Sequence, residues 1–471
     1  MMYATTLEGA ASAVSDYFYS TLAALEDFDT FCSYANKQMH LITSRAIALS
    51  LERFNNEIDA SIPSSWEIRG KPYKRVITMI GEVVYQRTLY KDEYGRNRYP
   101  LDEILGIPKR ARISADAHLW LARRSTAVSY RRAADDFFQM SGVRVSGMCA
   151  WRAVQIQAEL IRKDTMMPSV GDISQTEVFA ESDGIYIAFQ TPKRRAQAIS
   201  RFLYEQSRSK TSFEMKCGVV YAGIRSHKSR RVRGNVALLA TCGSTQDFQS
   251  LLVNTIKADY VVEDIERIHF SSDGGQWCKA HGLDDLGKPV VQGIDLFHVM
   301  KYIHRAFPEG RGREYLVSLA LKRRPEAFVS ACKKIALQIK NENRKKKIYE
   351  CCNYITSNAE LLRNDASLGT MEATNATVWA KRMKSFGCSW SKKGAEAMAL
   401  VLCRVCANRP LIVPKKDVLF SEQEQAQALK VMAEKGSAAA RMEIVGEGWL
   451  PPFNISTWKL PKNKQFRART C

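Results

Sequence analysis

The sequence has no apolar stretch approaching the roughly 18 to 20 residues that a membrane-spanning helix needs, so a helical membrane protein is not expected. Its opening, MMYATTLEGAASAVSDYF, lacks a basic segment followed by a continuous apolar core, and the expectation is a cytoplasmic protein without a secretory signal. Closely spaced cysteines are scarce. Of 12 cysteines, only Cys351 with Cys352 and Cys403 with Cys406 stand near one another. A structural zinc site commonly draws on two metal-spaced pairs, and no partner pair for Cys403 and Cys406 is evident. Reduced thiols, as in a cytosolic protein, are expected ahead of zinc. Internal repeats and low-complexity tracts are also missing.

Acidic residues are in deficit. Against 70 Lys and Arg stand 49 Asp and Glu, a formal net charge of +21, which points to a polyanionic partner. The excess recurs along the chain: Arg131 and Arg132, Arg152, Lys193 to Arg195 including Arg194, then Lys228, Arg230, Arg231 and Arg233, then Arg344, Lys345, Lys346 and Lys347, and Arg382. Spread in this way, they suit a long phosphate footprint on nucleic acid, where each neutralised phosphate releases counterions; solvated basic faces give the same composition.

What is present is ordinary for a folded protein: 45% hydrophobic and 10% aromatic residues. Residues from about 5 to 58 carry apolar positions at helical spacing and predict two or three amphipathic helices. Lys74 to Leu101, rich in Val, Ile, Tyr and Thr with turns near Gly81 and Gly95, predicts a small antiparallel meander. Tyr130 to Met140 and Met148 to Arg162, the latter capped by Ser146, predict two helices joined at Gly142. That arrangement fits a helix-turn-helix DNA-binding unit and equally any helical hairpin.

Strand signals then take over in TEVFAESDGIYIAF, in Phe213 to Ile224, in Asn235 to Gly243 and in Ile265 to Gly275. A short buried strand running into a helix is predicted in VVQGIDLFHVMKYIHRAF. Gly312 to Leu362 reads as a long basic helical region, and two more helices flank Gly387 to Ser391. Two of the strands end in Asp-Gly, at Asp183 and Asp273. Both residues of such a pair tolerate positive φ, so Asp183 reads as a hairpin turn or as a metal ligand. Phosphodiester chemistry typically gathers several carboxylates on divalent metal, and Glu372, on a later predicted helix, is a third candidate. Asp295 and His298, three residues apart, share one helix face and suit a supporting role beside such a site. Trp277, Trp379 and Trp390 could stack on unpaired bases or fill the core.

YKDEYGRNRYPLDEILGI, SYRRAADDF, ESDGIYIAFQ, SSDGGQW, DLFHVMKYI and GTMEATNATVWAKRMKSFGCSWSKKG occur in this order between about residues 70 and 400. In these motifs the chain resembles the ISLre-type DDE transposases of bacterial insertion sequences, related to Mutator-like transposases. The resemblance implies an α/β RNase H-like catalytic domain with an all-helical insertion, preceded by a helical and small β N-terminal region with a helix-turn-helix-like segment. It implies catalysis by Asp183, Asp273 and Glu372 holding two Mg²⁺, for which Mn²⁺ can substitute, the first acid on the first strand and the second after the fourth. It further implies double-stranded DNA partners (terminal inverted repeats and target), a homodimer or larger synaptic complex, and a bacterial, nucleoid-associated location. The expected organisation is an N-terminal helical region at 1–65, the β meander at 66–110, the helix-turn-helix-like region at 111–170, the RNase H-like core at 171–305 and 363–420, the basic helical insertion at 306–362 and a basic tail at 421–471. A nuclease of the same fold without strand transfer, and a non-catalytic DNA-binding descendant of a transposase, remain as alternatives.

Overall fold

In a computed structural model of the chain, five strands form a mixed sheet: β1, Glu177–Ala188; β2, Ser212–Tyr221; β3, Ala237–Thr241; β4, Arg267–Ser272; and β5, Val290–Ile294. Their order is β3-β2-β1-β4-β5. β2 runs antiparallel to both β1 and β3, whereas β4 is parallel to β1 and to β5. Residues 7–22, 27–166, 171–190, 212–227, 230–279, 282–366 and 368–413 are described.

Asp183 and Gly184 do not make the turn that their pairing in the sequence suggests. They lie inside the single 12-residue strand β1. Asp-Gly permits positive φ without requiring it, and here both edges of the strand are taken: Asp183 pairs with Cys217 and Gly184 with Lys216 on one side, and Ser182 pairs with Ser272 on the other. Pairing with β2 through both residues, next to the β4 ladder that ends at Ser182, outweighs a local turn preference that no partner rewards.

The sheet is covered on both faces. Ile185, Ile187, Met215, Cys217, Val219 and Tyr221 pack into a core with helices Ala115–Ala127, Tyr130–Ser141, Gly147–Met166 and Lys392–Cys406. Val178, Ala180, Val220, Leu239, Ile268 and Phe270 face the opposite way, against helix Thr245–Asp259. Each buried Val, Leu, Ile, Phe or Met among them contributes on the order of 1.5 to 3 kcal/mol relative to exposure. Trp379 and Trp390 belong to the first of these cores, at 0% and 7% exposure, so neither can stack on a base. Trp277 packs edge-on against Phe248.

The helices on either side of Gly142, Tyr130–Ser141 and Gly147–Met166, match the expected pair, with Gly142 at φ 71 between them and Ser129 capping the first. The basic region after β5 forms helices Leu296–Ala306, Arg311–Leu321, Pro325–Gln338, Glu342–Ser357 and Ala359–Arg363 around its own apolar core. Residues 371–383 form one helical run, with a π-helical turn over Asn375–Ala380.

By internal packing the described residues divide into two units, one within Met1–Arg75 and Val83–Ala111, the other within Val76–Glu82 and Arg112–Lys415. The first contains helices Leu7–Leu22 and Phe28–Asp59 and the antiparallel strands Glu67–Gly70, Leu89–Lys91 and Asn97–Arg98. In it Asp102 is buried, accepting from Lys74 Nζ and Tyr85 OH, each at 3.0 Å, and paired with Arg87. The second holds the five-stranded sheet. Among the described residues no helix is long and apolar enough to cross a membrane.

Two glycines mark close approaches of different kinds. A Cβ at Gly171 would lie 2.2 Å from Tyr260 N and 2.4 Å from Asp259 C, both backbone atoms. Gly171→Ala is therefore expected to cost about 2 kcal/mol or more. At Gly184 the Cβ would meet Glu214 Oε1 at 2.3 Å, the end of a half-buried side chain that can shift at the expense of its hydrogen bond from Trp277 Nε1. Gly184→Ala should lose under about 1 kcal/mol. Urea unfolding midpoints separate the two cases, and equal losses would contradict the assignment.

Candidate metal centre on the central sheet

On one face of β1, alternate positions read Phe179, Glu181, Asp183, Ile185 and Ile187. Two carboxylates occupy places where a core face calls for apolar side chains, at 1% and 6% exposure. Burying a carboxylate costs free energy unless hydrogen bonds or opposite charge offset it. The partners are specific. Asp183 Oδ1 accepts from the Gly184 backbone N–H at 2.7 Å and Oδ2 from Asn375 Nδ2 at 2.8 Å.

Asp273 arrives beside Asp183 by strand register. β4 pairs with β1 in parallel up to Ser272 opposite Ser182, and Asp273 is the next residue. Gly274, at φ 76, then turns the chain away from the sheet, while Asp273 Oδ1 accepts from Gly275 N at 2.8 Å. Its backbone carbonyl accepts from Tyr354 OH at 2.8 Å, which ties this loop to helix Glu342–Ser357.

β5 ends next to β4, and helix Leu296–Ala306 begins at once, with Asp295 as its cap accepting from Phe297 N at 2.9 Å. The Asp295 backbone N–H donates to Ser272 O at 2.8 Å. The first turn of that helix carries His298 over the site, its Nε2 3.9 Å from Asp183 Oδ1 and its Nδ1 3.7 Å from Asp295 Oδ2. Both separations are too long for hydrogen bonds, and His298 Nδ1 has no hydrogen-bond partner.

Ligand atoms of Asp183, Asp273 and His298 all lie within 4.8 Å of one another. Two carboxylate oxygens and an imidazole nitrogen at that spacing form a group able to hold a divalent metal ion, and the unpartnered His298 ring and crowded carboxylates fit one. The electrostatics agree. Burial, then the negative charges of Asp273 and Glu372, push the Asp183 carboxyl up to about 6, against the opposing effects of His298 and the Gly184 N–H. Burial works against the His298 proton, but Asp295, Asp183 and Asp273 together hold its pKa above the usual imidazole value.

Glu372, the third predicted acid, is exposed on the first turn of the helical run 371–383 and stands outside the three-residue group. Its charge is nonetheless close enough to help raise Asp183. Asn375, one turn further on at the start of the π-helical segment, is the residue of that helix that touches Asp183. π turns recur where a helix must re-aim a side chain into a site.

The basic residues fall into separate groups. Arg131, Arg152, Arg344, Lys346 and Lys347 are exposed; Arg132 is exposed and paired with Asp136 at 3.1 Å, and Lys345 is half-buried and 3.6 Å from Glu342. Arg382 is half-buried, donating to Ser125 O at 2.8 Å with its guanidinium against the Tyr130 and Trp390 rings. Arg233 donates to Thr370 and Thr374. These two arginines are tied into the fold, which a count of charges cannot reveal. Arg230 and Arg231 lie on strand Arg230–Arg233, and Lys193, Arg194, Arg195 and Lys228 lie outside the described residues. The described cysteines are free, with Cys403 buried and Cys406 exposed.

Three contributors escaped the sequence reading: Asn375, Tyr354 and Glu181. For Glu181 a signal existed, since it shares the strand face of Asp183 at the two-residue period. Asn375 and Tyr354 are polar residues on helical stretches, and nothing local distinguishes them from a solvated face.

Residues 31–408 match the family described as "Uncharacterised protein family (UPF0236)". A UPF0236 protein of Caldanaerobacter subterraneus subsp. tengcongensis is 25% identical over 375 residues, covering 75% of this chain and 72% of that protein. The UPF0236 protein in the vanSb 3′ region of Streptococcus gallolyticus is 22% identical over 376 residues, covering 77% and 80% respectively. Among solved structures, the Drosophila P element transposase strand transfer complex aligns over 64% of this chain and 96% of that chain, at 10% identity and a TM-score of 0.29. That likeness is too loose to define a shared fold.

Proposed function

The chain belongs to the uncharacterised protein family UPF0236, and from that premise together with the carboxylates of the central sheet we propose that it is a DDE transposase. It binds the terminal repeats of its insertion sequence, cleaves DNA at the element ends and joins the 3′ ends to target DNA. The observation that carries this reading is the meeting of Asp183, from the first strand, with Asp273, from the end of the fourth, in a group able to hold metal. Sheet order β3-β2-β1-β4-β5 with β2 antiparallel supports an RNase H-like core. The ordered motifs around all three acids support the transposase reading, and the assay below separates strand transfer from simple hydrolysis.

In this reading Asp183, Asp273 and Glu372 hold two Mg²⁺ or Mn²⁺ ions. Bound there, divalent metal lowers the pKa of an attacking water or 3′ hydroxyl and offsets charge on the leaving oxygen. The chain's own part is to fix the carboxylates. The Gly184 N–H and Asn375 orient Asp183, Gly275 N–H and Tyr354 orient the Asp273 loop, and Asp295 sets the helix that brings His298 to the site. Arg131, Arg152, Arg344, Lys346 and Lys347 are exposed and available to DNA phosphates, contacts that position the duplex without reading its sequence. Synapsis of two element ends calls for a homodimer or larger assembly.

The test is a strand-transfer assay with a precleaved element end, parent against Asp183→Ala. Joined product from the parent and none from the variant is the expected result. Cleavage without joining would reduce the activity to a nuclease, and equal activity in Asp183→Ala would overturn the site. His298 has a separate signature. His298→Gln should raise the Mn²⁺ concentration giving half-maximal thermal stabilisation about tenfold, and an unchanged titration would remove His298 from the site.

A further inference from the structure

We propose that Glu181 is a positioning residue for Glu372: it pins the start of the helical run carrying Glu372 to the strand carrying Asp183. The inference rests on the proposed role of Glu372. Glu181 lies two residues before Asp183 on the same strand face and is 1% exposed. Its Oε2 accepts from the Thr370 backbone N–H at 2.9 Å, and its Oε1 accepts from the Thr370 hydroxyl and from Tyr221 OH, the latter at 2.9 Å. With donors on both oxygens and 1% exposure, this carboxylate is engaged by the protein itself. What it grips is the residue immediately before the helix.

Thr370 is the cap residue of helix Met371–Thr374, yet its hydroxyl makes no cap hydrogen bond. That hydroxyl is turned to Glu181 instead, and it accepts from Arg233 Nη1 at 3.0 Å. Arg233 also reaches Thr374 Oγ1 at 2.9 Å, and Thr374 Oγ1 donates back to Thr370 O at 2.8 Å. The first turn of the helix, with Glu372 two residues past Thr370, is thus fastened to β1 across 189 positions of sequence. Gly369, at φ 69, supplies the bend before it.

An apolar side chain at position 181 would satisfy the core between Phe179 and Ile185 at less desolvation cost. The buried carboxylate instead selects particular donors, Tyr221 OH and the N–H and hydroxyl of Thr370, and through Thr370 it sets how far Glu372 stands from Asp183. Exposed as it is, Glu372 has no burial of its own to hold it in place.

The test measures Mn²⁺ binding to the full chain by calorimetry and electron paramagnetic resonance, with melting curves to establish folding. The parent is expected to bind two ions per chain, and Glu372→Gln to weaken one of them. Glu181→Ala should weaken that same ion about tenfold while leaving the other within a factor of two to three, and Glu181→Gln, which keeps an acceptor for the Thr370 N–H, should restore most of the loss. In the double variant Glu181→Ala, Glu372→Gln, the two effects should not add. Thr370→Val serves if Glu181→Ala does not fold, and should weaken the same ion. A folded Glu181→Ala chain with parental Mn²⁺ affinities, or full additivity with Glu372→Gln, overturns the positioning role alone. If Glu372→Gln leaves Mn²⁺ binding unchanged, the role of Glu372 fails and the positioning role fails with it.

Discussion

Asp183→Asn is expected to lower metal-dependent cleavage of element-end DNA by at least about 10³-fold, equivalent to roughly 4 kcal/mol of transition-state stabilisation. Asp273→Asn and Glu372→Gln should fall to the same floor. Side chains that hold one metal centre act as a unit, so once one carboxylate is neutral the others have little left to contribute. The double variant Asp183→Asn, Asp273→Asn should therefore be no worse than either single one. Single-turnover cleavage of end-labelled duplex measures this, with DNA affinity determined in parallel. Affinity should change little, because Lys and Arg contacts to phosphate, not the carboxylates, supply most of the binding to a duplex. If any single variant cleaves within tenfold of the parent, its residue is not a metal ligand.

The contrast between these carboxylates and Arg382 bears on what the sequence made legible. Strand and helix succession could be read because each element carries its own periodicity: β4 and β5 appear as short apolar runs, and the insertion as a basic, nearly glycine-free helical stretch. The Asp-x-x-His spacing also brings Asp295 and His298 side by side, 3.7 Å apart, since a separation of three residues at a helix fixes a common face whatever surrounds it. What failed depended on partners distant in sequence. Asp183-Gly184 carries a strong turn preference, and it is β2, arriving from more than 30 positions away, that pairs with both residues and holds them extended. Arg382 and Arg233 look like phosphate contacts by charge, yet one is fixed by Ser125 O and the other by Thr370 and Thr374. Trp379 and Trp390 were ambiguous for the same reason, because burial is a property of the packed core and not of the residue.

The variant expected to lose activity should gain stability. In the metal-free protein the Asp183 carboxyl sits at about 6, above its ordinary 3.8, chiefly because it is buried and then because Asp273 and Glu372 are near. A carboxyl held more tightly protonated in the folded state than in the unfolded one favours folding at low pH. That benefit is complete below the unfolded value and is lost as pH rises through about 6. The rise corresponds to about 3 kcal/mol. Asn at this position resembles the protonated acid in being neutral: its carbonyl can take the Gly184 N–H, and its amide N–H can meet the unpartnered Asn375 Oδ1 once that amide turns over. Without metal, Asp183→Asn should match the parent near pH 4 and exceed it by up to about 3 kcal/mol at pH 8. Saturating Mn²⁺ should close that gap by stabilising the parent alone, since binding to the folded state adds to its stability. Urea unfolding at pH 4 and pH 8, in chelator and in Mn²⁺, measures all four values. If the parent and variant differ equally at both pH values, the buried Asp183 charge is not what limits the metal-free protein. The gap expected to open with pH, and to close with Mn²⁺, would identify the site by its cost, with stability given up to keep two carboxylates side by side where metal can bind them.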